Sequence, residues 1–128
     1  MKRRRLVPLE DLIQGSIVEL LRLKADPRTI WFHPPNGLPA NARVGARFKR
    51  LGMMAGVPDL VIIGPDSVIH FIECKGPKGV QSDVQIHFAD RCKAIGLDYE
   101  ICRSSYAAEQ LLASWGCLRG AASIRRAA

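Results

Sequence analysis

Gly56 to Lys75 reads Gly-Val-Pro-Asp-Leu-Val-Ile-Ile, then Gly-Pro-Asp-Ser at 64–67, then Val-Ile-His-Phe-Ile-Glu-Cys-Lys. Two short apolar runs separated by turn residues predict a strand, a hairpin turn and a second strand. Asp59 opens the first run, and Glu73 and Lys75 close the second. Side chains alternate across a strand, so Glu73 and Lys75 share one face and Cys74 takes the other. The start of one hairpin strand lies beside the end of its partner. Asp59 is therefore expected to meet Glu73 and Lys75 at the end of a sheet otherwise built of Val, Ile, Leu and Phe.

Two carboxylates at one point repel, and both stay ionised only when a cation neutralises them. An oxygen-only donor set suits a hard ion such as Mg2+ or Mn2+. An ion so held polarises a phosphodiester and lowers the pKa of water, and a lysine beside it can orient that water or stabilise charge developing on phosphate. The plain alternative is a surface ion pair on a hairpin.

The pattern resembles the PD-(D/E)XK nuclease superfamily, with Pro58-Asp59 followed by Glu73-Cys74-Lys75. Within it the chain is most similar to the virus-type replication-repair nuclease (VRR-NUC) domain. The matching features are Glu10 with Gln14, His33-Pro34-Pro35-Asn36-Gly37, Gly52 and Gly56 ahead of Pro58-Asp59-Leu60, the Glu-x-Lys strand, Gln85, and Gly96 before a last strand. They run from about Glu10 to Arg103. A bare Glu-x-Lys is weak, whereas the whole ordered set is specific.

The resemblance implies an α/β, restriction-endonuclease-like core: a mixed central sheet flanked by helices in the order α-β-β-β-α-β. It implies a metal-dependent, structure-specific DNA endonuclease using Mg2+, with Mn2+ able to substitute. Asp59, Glu73 and the backbone carbonyl of Cys74 would hold the ion. Glu10 would be a further ligand, Lys75 would act on the water, and Gln85 would support the lysine. Small stand-alone domains of this kind resemble Holliday-junction resolvases, which work as homodimers on branched DNA. A flap- or end-directed nuclease and a non-catalytic DNA-binding module are the alternatives. By the same resemblance the expected setting is a bacterial or phage-encoded protein of the cytoplasm.

Composition agrees with a nucleic-acid partner without choosing one. The chain has 128 residues, a formal net charge of +7 and a pI near 9.7. Such basicity favours a polyanion. One domain over 1–128 is expected, with a core over about 8–105, a basic arm over 1–7 and a C-terminal helix and tail over 106–128. No apolar stretch is long enough to span a membrane. The four cysteines have no zinc-like spacing and lie in apolar segments, which predicts reduced, buried thiols.

Around the hairpin, Pro8 to about Ala25 has helical spacing of Leu9, Ile13, Ile17, Leu20 and Leu21. Glu10 falls within that apolar stripe, Gln14 at its edge and Glu19 outside it. Glu10 either reaches the site or complements the helix dipole. Thr29–His33 reads as a short strand ended by Pro34-Pro35, and His33 and Asn36 are candidate DNA contacts, His33 equally a plain strand-end residue. Asn41–Met54 reads as a short helix or a mobile loop, with Arg43, Arg47, Lys49 and Arg50 as candidate phosphate contacts. Gly52 and Gly56 would let backbone approach a metal or a phosphate. His70, on the Ile72 and Cys74 face, reads as structural. Lys78 follows the site in a tight basic loop and is another candidate phosphate contact. Ser82 to Gln85 fits a capping box, which by itself accounts for Gln85. The helix it opens should bury Val84, Phe88, Cys92 and Ile95.

Overall fold

The computed structural model describes residues 6–35 and 41–120. Asn36, residues 1–5 of the basic arm and the final Arg125-Arg126 fall outside them. The elements run α1 (Leu9–Lys24), β1 (Ile30–Phe32), α2 (Ala42–Arg50), β2 (Leu60–Ile63), β3 (Ile69–Cys74), α3 (Asp83–Ala94), β4 (Asp98–Cys102) and α4 (Ser105–Ser114). The strands form one mixed sheet in the order β1-β2-β3-β4. β1 and β3 both pair antiparallel with β2, and β4 joins β3 in parallel after the α3 crossover.

The hairpin forms where its turn residues lie. Gly64 N donates to Val68 O, and the Asp66 side chain accepts from Val68 N. The register pairs Leu60 with Ile72 and Val61 with Phe71. One step further along both strands, Asp59 faces Glu73, as the alternation of the sequence requires.

One sheet face carries the core. Leu60, Ile62, Ile72, Cys74 and Cys102 pack against Ile17 and Leu21 of α1 and Ala108 and Leu112 of α4, all at most 1 % exposed. His70 belongs to this face, stacked on Trp115 at 4.2 Å with its Nδ1 2.7 Å from Asp98 Oδ2. It is structural, as its position in the strand predicts. The opposite face is covered by α3, where Phe88 meets Phe71 edge-on at 5.4 Å. That cover is partial: Val61, Ile63 and Phe71 are half-buried and Ile69 is exposed. Only the first face is covered as fully as the apolar strands suggest.

Two expectations need correction. The core does not stop near residue 105. Trp115, Cys117 and Leu118 are buried in it, because the chain after α4 folds back on the end of α1. Asp26 N donates to Cys117 O, Thr29 Oγ1 donates to the same carbonyl, and Ala25 bridges Leu118. On α3, Phe88 is half-buried and Cys92 buried, but Val84 and Ile95 are 50 % and 76 % exposed. Ile95 is already the C-cap residue, outside the turns that rest on β4.

Within Asn41–Met54 the chain forms the helix α2 over Ala42–Arg50. Asn41 caps it by accepting from Val44 N, and Gly52, at φ +97°, ends it. Arg43, Arg47, Lys49 and Arg50 are exposed. Phe48 and Leu51 instead line an apolar groove with Pro34, Pro35, Met53 and Met54. All four cysteines are free thiols and buried. Burial pushes the Cys102 thiol up to about 11, so it stays protonated. No helix among the described residues is long and apolar enough to cross a membrane.

Candidate active site

The site lies where β2 begins and β3 ends. Asp59 precedes β2, and its Oδ2 accepts from the Cys74 backbone N–H at 2.8 Å. That bond aims the carboxyl across the hairpin at Glu73. Glu73 is 2 % exposed and Lys75 6 % exposed, so neither belongs to a surface ion pair. The Glu73 carboxyl is held at both oxygens: Gln85 Nε2 donates to Oε1 at 3.3 Å, and the Tyr99 hydroxyl donates to Oε2 at 3.5 Å. Tyr99 is itself fixed by Gln81 Nε2 at 3.1 Å.

Burial pushes the Glu73 carboxyl up to about 9, aided by its hydrogen bond with Asp59 and by the Asp59 charge, with Lys75 opposing. Burial first, and then the Glu73 charge, also push the Tyr99 phenol well above its ordinary range. Two carboxyls confined in one dry spot must share a proton or a cation. The donors are oxygens, Glu73 is buried, and half-buried Asp59 is held across the hairpin from it. These residues therefore fit a hard divalent ion.

The raised Glu73 carboxyl has a signed consequence for stability. In metal-free protein the folded state keeps a proton that the unfolded chain releases above about pH 4.5. Stability is then fully present below that pH and is lost as pH rises towards 9, by at most about 1.4 kcal/mol per pH unit. In EDTA, the melting temperature is expected to fall between pH 5.5 and 8.5, and Glu73→Gln should flatten the slope. A parent profile no steeper than that of Glu73→Gln would contradict the shared-proton geometry.

Lys75 sits on the same face, its backbone N–H tied to Cys102 O. Its Nζ lies 3.8 Å from Glu10 Oε1. The first turn of α1 thus reaches the site, but through the lysine. Among the described residues no three His, Cys, Asp or Glu side chains gather as a ready-made ligand set. The carboxyl pair is Asp59 with Glu73, and Glu10 pairs with Lys75. Glu19 is exposed, as its place on the helix predicts.

Gln85 has two tasks. Its Oε1 accepts from Ser82 N at 2.9 Å to complete the capping box, while its amide nitrogen reaches Glu73. The capping account holds, and the amide nitrogen meets Glu73 where the sequence reading has the lysine. Gly56 also has a different neighbour from the one expected. A Cβ there would lie 2.3 Å from Val84 O, so the close approach is to the backbone of α3.

His33 is not a bare strand-end residue. Its Nδ1 lies 2.6 Å from the Asp59 carbonyl oxygen and 3.1 Å from the Gln14 amide. Lys78 is exposed on the loop after Lys75. That loop is shaped by Arg103, whose Nη1 donates to the carbonyls of Gly76 at 2.6 Å and Gly79 at 2.9 Å. Arg103, just after β4, therefore supports the loop that follows Lys75.

Tyr99, Gln81 and the Gln14–His33 contact are what sequence reasoning missed. A signal for Tyr99 existed: in register with Phe71, it must share the Glu73 face. It became usable only once β4 was known to pair with β3.

A paired carboxyl and lysine at the end of such a hairpin, on a mixed sheet between helices, define the restriction-endonuclease-like class of α/β folds. The model of the VRR-NUC domain family matches residues 39–106, more than half of the chain. The chain belongs to the VRR-NUC domain family. A solved structure described as a VRR_NUC domain superposes with a TM-score of 0.58 at 20 % identity, covering 83 % of this chain and 96 % of that one, a likeness of fold. No curated protein matches the chain.

Proposed function

We propose that the protein is a metal-dependent, structure-specific DNA endonuclease that hydrolyses phosphodiester bonds of branched DNA as a homodimer. The observation that carries this reading is half-buried Asp59 set against buried Glu73 beside buried Lys75 in a chain of a nuclease-type family. Asp59, Glu73 and the Cys74 carbonyl would hold Mg2+, or Mn2+ in its place, and Glu10 would join through water. When bound, such an ion supplies charge to the scissile phosphate and lowers the pKa of water. Lys75 orients the attacking water and stabilises charge gathering on phosphate. Gln85 fixes Glu73.

Arg43, Arg47, Lys49 and Arg50 on α2, with Lys78 and Asn36, would bind phosphate without reading sequence, as expected of an enzyme that recognises branch shape. Each chain offers one Asp59–Glu73 site, and two symmetric cuts across a junction need two, which favours a dimer.

The test is a panel of labelled four-way junction, flap and linear duplex with Mg2+. Paired symmetric cuts in the junction are expected. Cutting of flaps or ends alone would keep the nuclease and change its substrate. Tight binding of junctions with no cleavage under Mg2+ or Mn2+ would make the chain a non-catalytic DNA-binding module.

A further inference from the structure

β1 ends because Pro34 and Pro35 have no backbone N–H to continue a ladder. The last pair of β1 with β2 is Phe32 with Val61, two residues short of Asp59. His33 extends the pairing with its side chain. Nδ1 approaches the Asp59 carbonyl to 2.6 Å, a distance that requires a proton between them, so Nδ1 is the protonated nitrogen. The Gln14 amide sits 3.1 Å from the same nitrogen. Gln14 lies one helical turn after Glu10, so α1 sends two arms into the site, Glu10 to Lys75 and Gln14 to His33. Across the hairpin, the Cys74 N–H holds the Asp59 carboxyl. Asp59 is thus gripped at its backbone from one strand and at its side chain from the other.

We propose that His33 is a positioning residue, whose Nδ1–H, donated to the Asp59 carbonyl, locks the Asp59 backbone so that its carboxyl stays aimed at Glu73 for cation binding. This rests on the reading of Asp59 and Glu73 as the cation site. It assigns His33 a place behind the site where the sequence suggested a contact with DNA.

The geometry makes the choice of substitutions decisive. The amide nitrogen of Asn occupies nearly the position of Nδ1 of His, whereas that of Gln reaches further, to the place of Nε2. Mn2+ affinity is measured by calorimetry on the parent and on His33→Ala, His33→Gln and His33→Asn, with melting temperature alongside. The expected result is a loss of about tenfold in Mn2+ affinity for the Ala and Gln variants, the scale for removing a residue that orients a metal ligand, with Asn close to the parent. His33→Ala binding Mn2+ as tightly as the parent would overturn the proposal, as would Asn being as weak as Gln. A loss of junction affinity in EDTA with Mn2+ affinity unchanged would also overturn it and return His33 to the DNA interface. A parent that binds no Mn2+ through Asp59, judged against Asp59→Asn, would instead defeat the cation-site reading itself.

Discussion

Replacing Lys75 by methionine is expected to lower single-turnover cleavage of branched DNA by about a thousandfold, within the range for removing one preorganised catalytic group. The fold should survive. Lys75 is 6 % exposed, and its charged partner is Glu10 at 3.8 Å, so an apolar chain of similar length keeps the packing and removes only the ammonium. The melting temperature should stay within a few degrees of the parent. Asp59 and Glu73 remain in place, so Mn2+ binding should persist while cutting is lost. That split separates a group acting on water and phosphate from one that holds the ion. A Lys75→Met variant that cuts within tenfold of the parent would remove the lysine from the chemistry.

The second large effect is structural and falls on Gly56, which lies three residues before Asp59. Its φ is +81°, and an added Cβ would meet Val84 O at 2.3 Å and Val84 C at 2.5 Å. These are backbone atoms at the start of α3, so no side chain can swing away. The left-handed conformation costs about 1–2 kcal/mol for a residue with a Cβ. Overpacking against backbone adds about 1–3 kcal/mol. Gly56→Ala is therefore expected to destabilise the protein by about 3 kcal/mol, read as a shift in urea midpoint. Any relief comes from moving α3, which carries Gln85 and so disturbs Glu73. Cleavage should fall together with stability. An Ala variant as stable as the parent would mean that the turn and helix are not held against each other as described.

The site was legible in the sequence to the extent that it is local. Asp59, Glu73 and Lys75 follow from alternation along two strands and one hairpin turn, and the observed register pairs the strands as that alternation demands. The capping box at Ser82 and Gln85 was equally readable, because it involves four consecutive residues. What escaped are contacts between segments distant in sequence. His33 and Asp59 are separated by 26 residues, and Tyr99 and Glu73 also by 26. The residues after α4 show no periodicity, yet they join the core because Cys117 O takes two hydrogen bonds from the turn after α1. Nothing in the local pattern around Trp115 to Leu118 announces that docking. The spacing of Glu10 on α1 gives its face of the helix, but its pairing with Lys75 at 3.8 Å required the fold.

The same division explains the basic helix. Arg43, Arg47, Lys49 and Arg50 were readable as a charged face, and α2 does present them to solvent. The apolar groove that Phe48 and Leu51 share with Pro34 and Pro35 joins two segments on either side of residues 36–40, and it required the fold.

The most direct measurement is cleavage of a labelled four-way junction by the purified protein in EDTA, after return of Mg2+ or Mn2+, and by Asp59→Asn in either metal. The proposed chemistry predicts no product in EDTA, product restored by both metals, and none from Asp59→Asn. Cutting that persists in EDTA, or that survives in Asp59→Asn, would contradict a cation-dependent reaction at the Asp59–Glu73 pair.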